Sequence, residues 1–247
     1  MDKSSRVGFD KNINSFSPEG RLYQIEYAIK SSKISGTTCI AIKGRNTVCM
    51  IEENKKSLSQ TTVELDSISF KLNNFLGCVC SGIPGDLSYF KSEIIQEYCS
   101  FYEKNGFDIT IEHLTNLMAI KNQVLTQQSF TRILAVNTIF FGIDNETGPV
   151  VLKLDPSGYF SSCSINVIGE KENEFKSYIL KNNFFPEIKF YDYEKTVTFT
   201  ISLLQHVLKN DLKAIDMKIT VISEEKKFQI LSLNEIDYYL ERLKKIN

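Results

Sequence analysis

The sequence predicts an α+β fold in which two antiparallel sheets are stacked and each sheet is covered by helices. The predicted elements follow the order strands, two helices, strands, two helices, strands and one helix. Neighbouring strands are joined by hairpin-length connections, whereas parallel strands need long crossovers. The strands are also apolar on both alternating faces, so both faces of each sheet must be covered.

The chain begins with a polar stretch, residues 1–16, which has no periodicity and is expected to be a flexible tail. Residues 17–30 predict the first helix. Ser17 is a favourable N-cap, Pro18 has the φ angle that a first helical residue needs, and Glu19 faces the positive end of the helix dipole.

Two faces of this predicted helix differ in character. Tyr23 and Tyr27 form an aromatic ridge, and Glu26 can pair with Lys30 four residues later. Aliphatic side chains recur at helical spacing on another face: Leu22, Ile25 and Ile29. Periodicity alone favours an ordinary amphipathic surface helix.

The first half of the chain then predicts four strands and two long helices. The strands cover Thr37–Ile42, Thr47–Ile51, Phe70–Leu72 and Leu76–Ser81. The apolar stripes of the two helices are Leu87, Phe90, Ile94, Tyr98 and Phe101, and Ile111, Leu114, Leu117, Ile120 and Val124. Asn105-Gly106 separates the two helices.

The second half predicts six more strands and three helices. The strands cover Leu134–Ile143, Val150–Leu154, Tyr159-Phe160, Ser164–Ile168, Met217–Ile222 and Phe228–Leu231. Two helices cover residues 170–182 and 193–209. Ser232 and Glu235 can form a capping box at the start of the last helix.

Composition favours one domain without a membrane or nucleic-acid partner. The 247 residues are 42% hydrophobic and 24% charged, with a net charge of -1 and no Pro/Gly/Ser-rich linker. The N-terminus lacks the apolar segment of a secretion signal. The longest apolar stretch, Ile133–Ile143, is too short for a span of about 20 residues. We therefore expect a soluble intracellular protein.

The six cysteines and two histidines show no metal-binding or disulfide pattern. No two cysteines form a C-x-x-C pair, and neither histidine is near a cysteine in sequence. Cys78 and Cys80 share one face of a strand, where small buried thiols are favoured over a metal clip. All six cysteines are expected to be reduced, and no metal or cofactor is predicted.

The most specific pattern in the chain lies near its start. It consists of Phe9-Asp10-Lys11, Phe16-Ser17-Pro18-Glu19-Gly20-Arg21-Leu22 and Gln24-Ile25-Glu26-Tyr27-Ala28. This pattern resembles the signature that opens the alpha subunits of the proteasome core particle. It is most similar to that of the type-six alpha subunit, which occupies ring position one. Further matches extend the resemblance over essentially the whole chain: Ser81–Asp86, Thr126-Gln127 with Arg132, Gly148-Pro149 and Asp155–Tyr159.

The resemblance implies a four-layer αββα sandwich, the fold of N-terminal nucleophile hydrolases, with an extra N-terminal helix. Residues 1–16 would be a gate tail, and residues 17–247 a single alpha-type domain. The implied role is non-catalytic: a subunit of the outer seven-membered ring that gates substrate entry and docks regulatory particles for ubiquitin-dependent protein degradation. The implied partners are neighbouring alpha subunits, underlying beta subunits and activators, in cytoplasm and nucleus.

The resemblance also assigns site residues near the N-terminus. The signature helix carries Ser17, Glu19, Gly20, Arg21, Leu22, Gln24 and Glu26. The gate cluster maps to Phe9, Asp10, Pro18 and Tyr27. Phe9 replaces the usual tyrosine and Lys11 replaces the common arginine, so a phenol hydrogen bond and a bidentate fork are both lost. This subunit is therefore expected to hold an open gate less firmly than its neighbours.

The activator pocket of the family maps to Gly36, Ile68 and Ile83. The family pattern places at Ile68 a lysine that holds the C-terminal carboxylate of an activator. Lys71 lies three positions further along, and strand alternation turns it the other way. Activator tails are therefore expected to bind weakly, or not at all, at the Ile68 edge.

Thr37 and Thr38 stand where the catalytic subunits of the same fold begin with a threonine nucleophile. Such a threonine uses its own α-amine as the base, and in this chain that nitrogen is an amide. No G-x-S-x-G motif or triad is present. The carboxylate pairs Glu52-Glu53, Glu170/Glu172 and Glu224-Glu225 are interpreted as solvated surface. A threonine hydrolase activated by processing and a stand-alone peptide-binding module are the alternatives.

Overall fold

Two antiparallel five-stranded sheets form the centre of the molecule. The computed structural model describes residues 13, 15–54, 68–208, 212–225 and 227–246. The first sheet contains, in spatial order, β10 (Lys227–Ile230), β9 (Met217–Ser223), β2 (Thr47–Glu53), β1 (Cys39–Lys43) and β8 (Ile165–Ile168). The second contains β3 (Ser69–Lys71), β4 (Leu76–Gly82), β5 (Val136–Asp144), β6 (Gly148–Leu154) and β7 (Phe160–Ser162). Every neighbouring pair is antiparallel.

Helices cover the outer face of each sheet. The second sheet is covered by α2 (Pro84–Asn105) and α3 (Ile111–Gln127). The first is covered by α4 (Glu172–Asn182), the short α5 (Phe185–Ile188), α6 (Tyr193–Leu208) and α7 (Leu233–Ile246). An additional helix, α1 (Tyr23–Ile34), packs against β4 and β5. The predicted four-layer αββα sandwich with an extra N-terminal helix is confirmed.

The strands are apolar on both faces because one face of each sheet contacts helices and the opposite face contacts the other sheet. In β1, Ile40 and Ile42 face the helices over the first sheet, whereas Cys39 and Ala41 face the second sheet. All four side chains have 0% exposure. The molecule therefore has three apolar layers, one between the sheets and one under each set of helices.

The elements that the sequence did not predict are all short. Helix α5 and the 3-10 helix Ala214–Asp216 each extend for about one turn, too little to produce a helical period. The break at Gly106 is confirmed, because this residue ends α2 in the left-handed conformation with φ +75°. Strand β1 begins at Cys39 rather than at Thr37.

The cysteines match the sequence-based expectation. All six are free, with Cys99 and Cys163 exposed. Cys78 and Cys80 both face the helices over the second sheet, as their spacing predicts. In the described residues no group of three or more potential metal ligands is found, and no helix there is long and apolar enough to cross a membrane.

Asp86 connects the start of α2 to the segment that enters β5. Its side chain is buried, and its carboxylate accepts hydrogen bonds from Arg132 Nη1 at 2.7 Å and from the backbone N–H of Ala135 at 2.9 Å. The hydrogen bonds from Arg132 lower the pKa of Asp86, although burial opposes this shift. A buried carboxylate with this set of donors fixes the α3–β5 connection onto α2.

We expect Asp86→Ala to lower the free energy of unfolding by about 2–3 kcal/mol, because the Ala135 N–H would be buried without an acceptor. Urea denaturation measures this change. Glu103→Ala removes an exposed carboxylate from the same helix and should alter stability by less than about 0.5 kcal/mol. Equal losses in the two variants would contradict a specific role for Asp86.

The pH dependence of this loss has a defined sign. Since the pKa of Asp86 is lower in the folded than in the unfolded state, its stabilisation is present above the unfolded value of about 3.9 and disappears as pH falls through the folded value. The stability difference between wild type and Asp86→Ala should therefore narrow in acid.

Candidate functional site

Helix α1 begins at Tyr23, whereas the sequence predicts a start at Ser17. The Ser17 backbone N–H donates to the Arg21 carbonyl at 2.9 Å, and the Arg21 N–H donates to Ser17 Oγ at 3.0 Å. Gly20 adopts φ +75°, a left-handed conformation that interrupts a right-handed helix. Ser17 therefore caps a tight turn ahead of the helix.

The other predicted helix-start features change with this boundary. Pro18 and Glu19 lie exposed in the turn, so Glu19 is not in the first helical turn. Leu22 is the N-cap and makes no side-chain capping bond. The ion pair of Glu26 is with Arg21, at 3.3 Å, rather than the predicted pair with Lys30.

The buried face of α1 also differs from the predicted aliphatic face. Tyr23, Ala28 and Ser32 are buried, whereas Leu22, Ile25 and Ile29 are half-buried. Asn137 Nδ2, on β5, donates to Ser32 Oγ at 2.8 Å, and that hydroxyl donates to the Ile29 carbonyl at 2.9 Å. A buried polar contact thus fixes the last turns of α1 on the second sheet.

The junction between α1 and β1 is packed against the end of β4. A Cβ atom at Gly36 would lie 2.2 Å from Ser81 Oγ and 2.6 Å from the Ser32 carbonyl oxygen, so only glycine fits. The Ser81 hydroxyl donates to the Thr37 carbonyl at 2.7 Å. The chain ahead of Thr37 is therefore held by packing and by a hydrogen bond.

The three positions of the predicted activator pocket are associated with one end of β4. Gly36 packs on Ser81 and Gly82, and Ile83 follows directly in the chain. The Ile68 carbonyl accepts from the Cys80 N–H at 3.0 Å, and the half-buried Ile68 side chain packs into the layer between the sheets. The structure therefore brings these positions to the same edge.

Lys71 has separate contacts near the other end of β4. Its Nζ donates to Asn74 Oδ1 at 2.8 Å and lies 5.8 Å from the centre of the Phe228 ring. The lysine is thus engaged away from the Ile68 side chain.

Of the predicted gate cluster, Phe9 and Asp10 lie outside the described residues, as does Lys11. Tyr27 is 47% exposed and stacks on Tyr23, with 6.1 Å between ring centroids. Pro18 is also exposed. Both described members of the cluster therefore have surface available for contact.

Thr37 and Thr38 lie inside a continuous chain. Thr38 has 0% exposure, and its carbonyl accepts from the Glu53 N–H at 3.0 Å. Its hydroxyl makes no hydrogen bond. Thr37 is half-buried behind the α1 junction.

Two carboxylates that the sequence assigned to solvated surface are buried, and that interpretation was wrong for them. Glu52 lies in β2 with 7% exposure, and its Oε1 is 3.6 Å from Lys218 Nζ. Glu172, the first residue of α4, is 1% exposed and pairs with Lys153 and Lys176, each at 2.6 Å. Glu224 and Glu225 are exposed, as predicted.

The burial of Glu52 could have been predicted from the sequence. A strand that is covered on both faces buries each of its side chains, including a polar one that directly follows its last apolar residue. Glu52 follows Ile51 directly within β2. No comparable signal exists for Glu172, whose partner Lys153 is on β6 and is brought close only by the fold. Burial also raises the pKa of the Cys39 thiol, and neighbouring Glu52 adds to this effect.

Comparison with known proteins assigns the chain to a family. The family model described as "Proteasome subunit" matches residues 34–222, and the model for the N-terminal signature of A-type proteasome subunits matches residues 9–30. The chain is 33% identical to the probable alpha type-1 proteasome subunit of Schizosaccharomyces pombe, over 97% of this chain and 98% of the relative. It is 28% identical to the alpha type-6 proteasome subunit of Caenorhabditis elegans, over 98% of each chain.

A further relative, the alpha type-4 proteasome subunit of Saccharomyces cerevisiae, is 28% identical over 96% of this chain and 92% of its own length. The signature match covers the turn at Ser17–Arg21 and the first part of α1, the segment anchored through Gly36 and Ser32. The chain belongs to the proteasome alpha subunit family.

Proposed function

We propose that this protein is a non-catalytic alpha subunit of the proteasome core particle. In this proposal it occupies the outer seven-membered ring at position one, in the manner of a type-six subunit, gates substrate entry and docks regulatory particles for ubiquitin-dependent degradation. Residues 1–16 form the gate tail ahead of a single domain, residues 17–247. We propose that the protein works in the cytoplasm and the nucleus. Imaging of the tagged full chain tests this localisation.

The observation that carries the non-catalytic role is the anchoring of the chain ahead of Thr37. A threonine nucleophile needs a free α-amine on the same residue, and the nitrogen of Thr37 is part of the peptide bond to Gly36. Cleavage at this bond would detach α1, which is held by the Ser32–Asn137 hydrogen bond and by the close packing of Gly36. The fold therefore favours retention of the segment.

Exposed apolar side chains on α2 and α3 support a role in assembly. Tyr89, Tyr102, Ile120 and Val124 are each about half exposed, at 56%, 50%, 52% and 47%. Tyr89, Ile120 and Val124 line one groove, and exposed apolar surface of this kind is typical of interfaces between subunits. We propose that neighbouring alpha subunits or the underlying beta subunits cover it.

We expect the assembled protein to retain the residues ahead of Thr37 and to resist labelling by an electrophilic peptide. Intact-mass measurement before and after treatment checks both. Native mass spectrometry should find the chain in a particle that contains rings of subunits. Thr37→Ala should leave the peptidase activity of that particle unchanged.

Two results would contradict this assignment. A mature chain that begins at Thr37 and carries the label would indicate a processed threonine hydrolase. A chain that stays monomeric with its expected partner subunits present would indicate a stand-alone module.

For the gate, we expect Tyr27→Ala to lower activator-stimulated peptide hydrolysis by the reconstituted particle about fivefold. The reason is the loss of the exposed ring that stacks on Tyr23, a contact worth about 1 kcal/mol. Tyr238→Ala is a matched control, because Tyr238 is an exposed tyrosine, 58% exposed, that pairs with Tyr239 on α7. Equal activity in the two variants would argue against a gating role for Tyr27.

For activator docking, we expect Ile68→Lys to strengthen binding of an activator-tail peptide about tenfold. Ile68 is only half-buried, so the carbon stem of the lysine can keep its packing between the sheets while the ammonium group extends outward to pair with the terminal carboxylate. Anisotropy of a labelled peptide on the reconstituted particle measures this. Lys71→Met should have no effect, since Lys71 is bound to Asn74. If wild type binds the peptide tightly and Ile68→Lys does not improve that binding, the prediction of weak activator binding at Ile68 is wrong.

A further inference from the structure

A cavity of about 370 Å³ lies between α1 and α4. Ile29 and Lys33 of α1 line one of its walls, and Glu172, Lys176 and Ile179 of α4 line another. Close packing is what holds helices in place in a protein interior. On the side that faces this cavity, α1 therefore lacks the close packing that would fix its position.

An ion pair connects α1 to α4 at this cavity. Lys33 Nζ is 3.5 Å from Glu172 Oε2, and the side chains are 29% and 2% exposed. Oε2 is buried and makes no hydrogen bond, so Lys33 provides a compensating charge beside it. Salt screens a partly buried pair less than an exposed one. The pair is therefore a firmer link than an ion pair on the surface.

Glu172 is held in place independently of Lys33. Its Oε1 lies 2.6 Å from Lys153 Nζ and 2.6 Å from Lys176 Nζ. Lys153, on β6, also donates to the Val167 carbonyl of β8 at 2.8 Å. Burial would raise the pKa of Glu172, but Lys153 and Lys176 lower it below its ordinary value. The carboxylate is thus ionised at neutral pH and fixed to both sheets, which makes it a rigid anchor for Lys33.

A second polar contact holds the same turn of α1 from another direction. Asn137 of β5 donates to the hydroxyl of the buried Ser32 at 2.8 Å. Ser32 and Lys33 are consecutive, so their side chains leave the helix axis about 100° apart. A helix with one anchor can still turn about its axis, whereas two anchors in different directions prevent this. Together, the contacts of Ser32 and Lys33 fix the rotation of α1.

The rotation of α1 determines where Tyr27 points. Tyr27 belongs to the same helix, is 47% exposed and stacks on Tyr23. With a radius of about 6 Å for a helix with its side chains, a rotation of about 20° moves the end of a side chain by about 2 Å. Contacts between packed atoms weaken over much smaller displacements. A small rotation would therefore remove Tyr27 from any surface that it contacts.

We propose that Lys33 and Glu172 are positioning residues for the gate: their ion pair fixes the rotation of α1 and holds Tyr27 in the direction that an open gate requires. This inference rests on the proposed gating role of Tyr27. It adds to that role a specific contact near the other end of the helix. When the pair is absent, the cavity gives α1 room to turn.

The first experiment measures α1 itself and needs no gating activity. Hydrogen exchange is followed by mass spectrometry on the purified full chain, in whatever assembly it forms. The amides of α1 should exchange about tenfold faster in Lys33→Met than in wild type, because one of the two anchors is lost. Lys33→Arg keeps the charge and should restore the slow exchange. Equal exchange in Lys33→Met and wild type would overturn the proposal.

Lys176→Met is the matched control. Lys176 pairs with the same carboxylate at 2.6 Å, but from the next turn of α4, so its removal does not release α1. Exchange in α1 should then stay at the wild-type rate. Equally fast exchange in Lys176→Met and Lys33→Met would rule out a specific role for Lys33. Glu172 is kept in both variants, because its removal would leave Lys153, whose pKa burial already lowers, without this partner.

The second experiment measures the gate in the reconstituted particle. Lys33→Met should lower activator-stimulated peptide hydrolysis about fivefold, because α1 is no longer held in the orientation of the open gate. Unstimulated hydrolysis should not change, whereas a general loss of stability or assembly would lower both activities. Lys33→Met combined with Tyr27→Ala should be no less active than Tyr27→Ala alone, since both changes act through the same ring and independent effects would multiply.

The outcomes separate this inference from the proposed gate. If Tyr27→Ala lowers stimulated hydrolysis and Lys33→Met does not, the positioning role is wrong and the gating role of Tyr27 stands. If the two effects multiply in the double variant, Lys33 acts by another route and the positioning role is again wrong. If neither change has an effect, the gating role of Tyr27 is wrong, and the positioning role fails with it.

Discussion

Gly36 lies so close to Ser81 and to the Ser32 carbonyl that no side chain fits there, and the junction of α1, β1 and β4 depends on this contact. The contact places the end of α1 against β4 and directs the chain into β1. The Ser81 hydroxyl then binds the Thr37 carbonyl. As a result, the backbone that enters Thr37 is continuous and packed against the end of β4.

Two buried carboxylates differ in how completely their hydrogen bonds are satisfied. Asp86 is matched by Arg132 and the Ala135 N–H, so its bonds are satisfied and it acts as a structural link. Glu172 faces lysines on several elements but keeps one oxygen without a hydrogen bond. Networks that are fully satisfied stabilise a fold, whereas a buried acceptor without a hydrogen bond lowers the stability of the fold.

Much of the fold can be predicted, because strands and helices have periods that appear in the sequence, and the alternation in β1 correctly predicts cover on both faces. Helix α5 has only four residues and shows no period, and Gly20 interrupts the predicted start of the first helix.

The candidate site is predictable only in part. Resemblance places Gly36 and Ile83 together, and the fold brings both to the end of β4. The burial of Glu172 is not predictable, because Lys153 is distant in sequence and local spacing carries no information about charges on separate elements.

The sequence by itself determined the fold class and membership in the proteasome alpha family, because periodicity and a long specific motif are local properties. Only the tertiary structure decided where α1 begins, which of its side chains are buried and which lysines surround Glu172. Those features depend on contacts between distant residues, and such contacts exist only once the sheets have stacked and α1 has packed on Ser81.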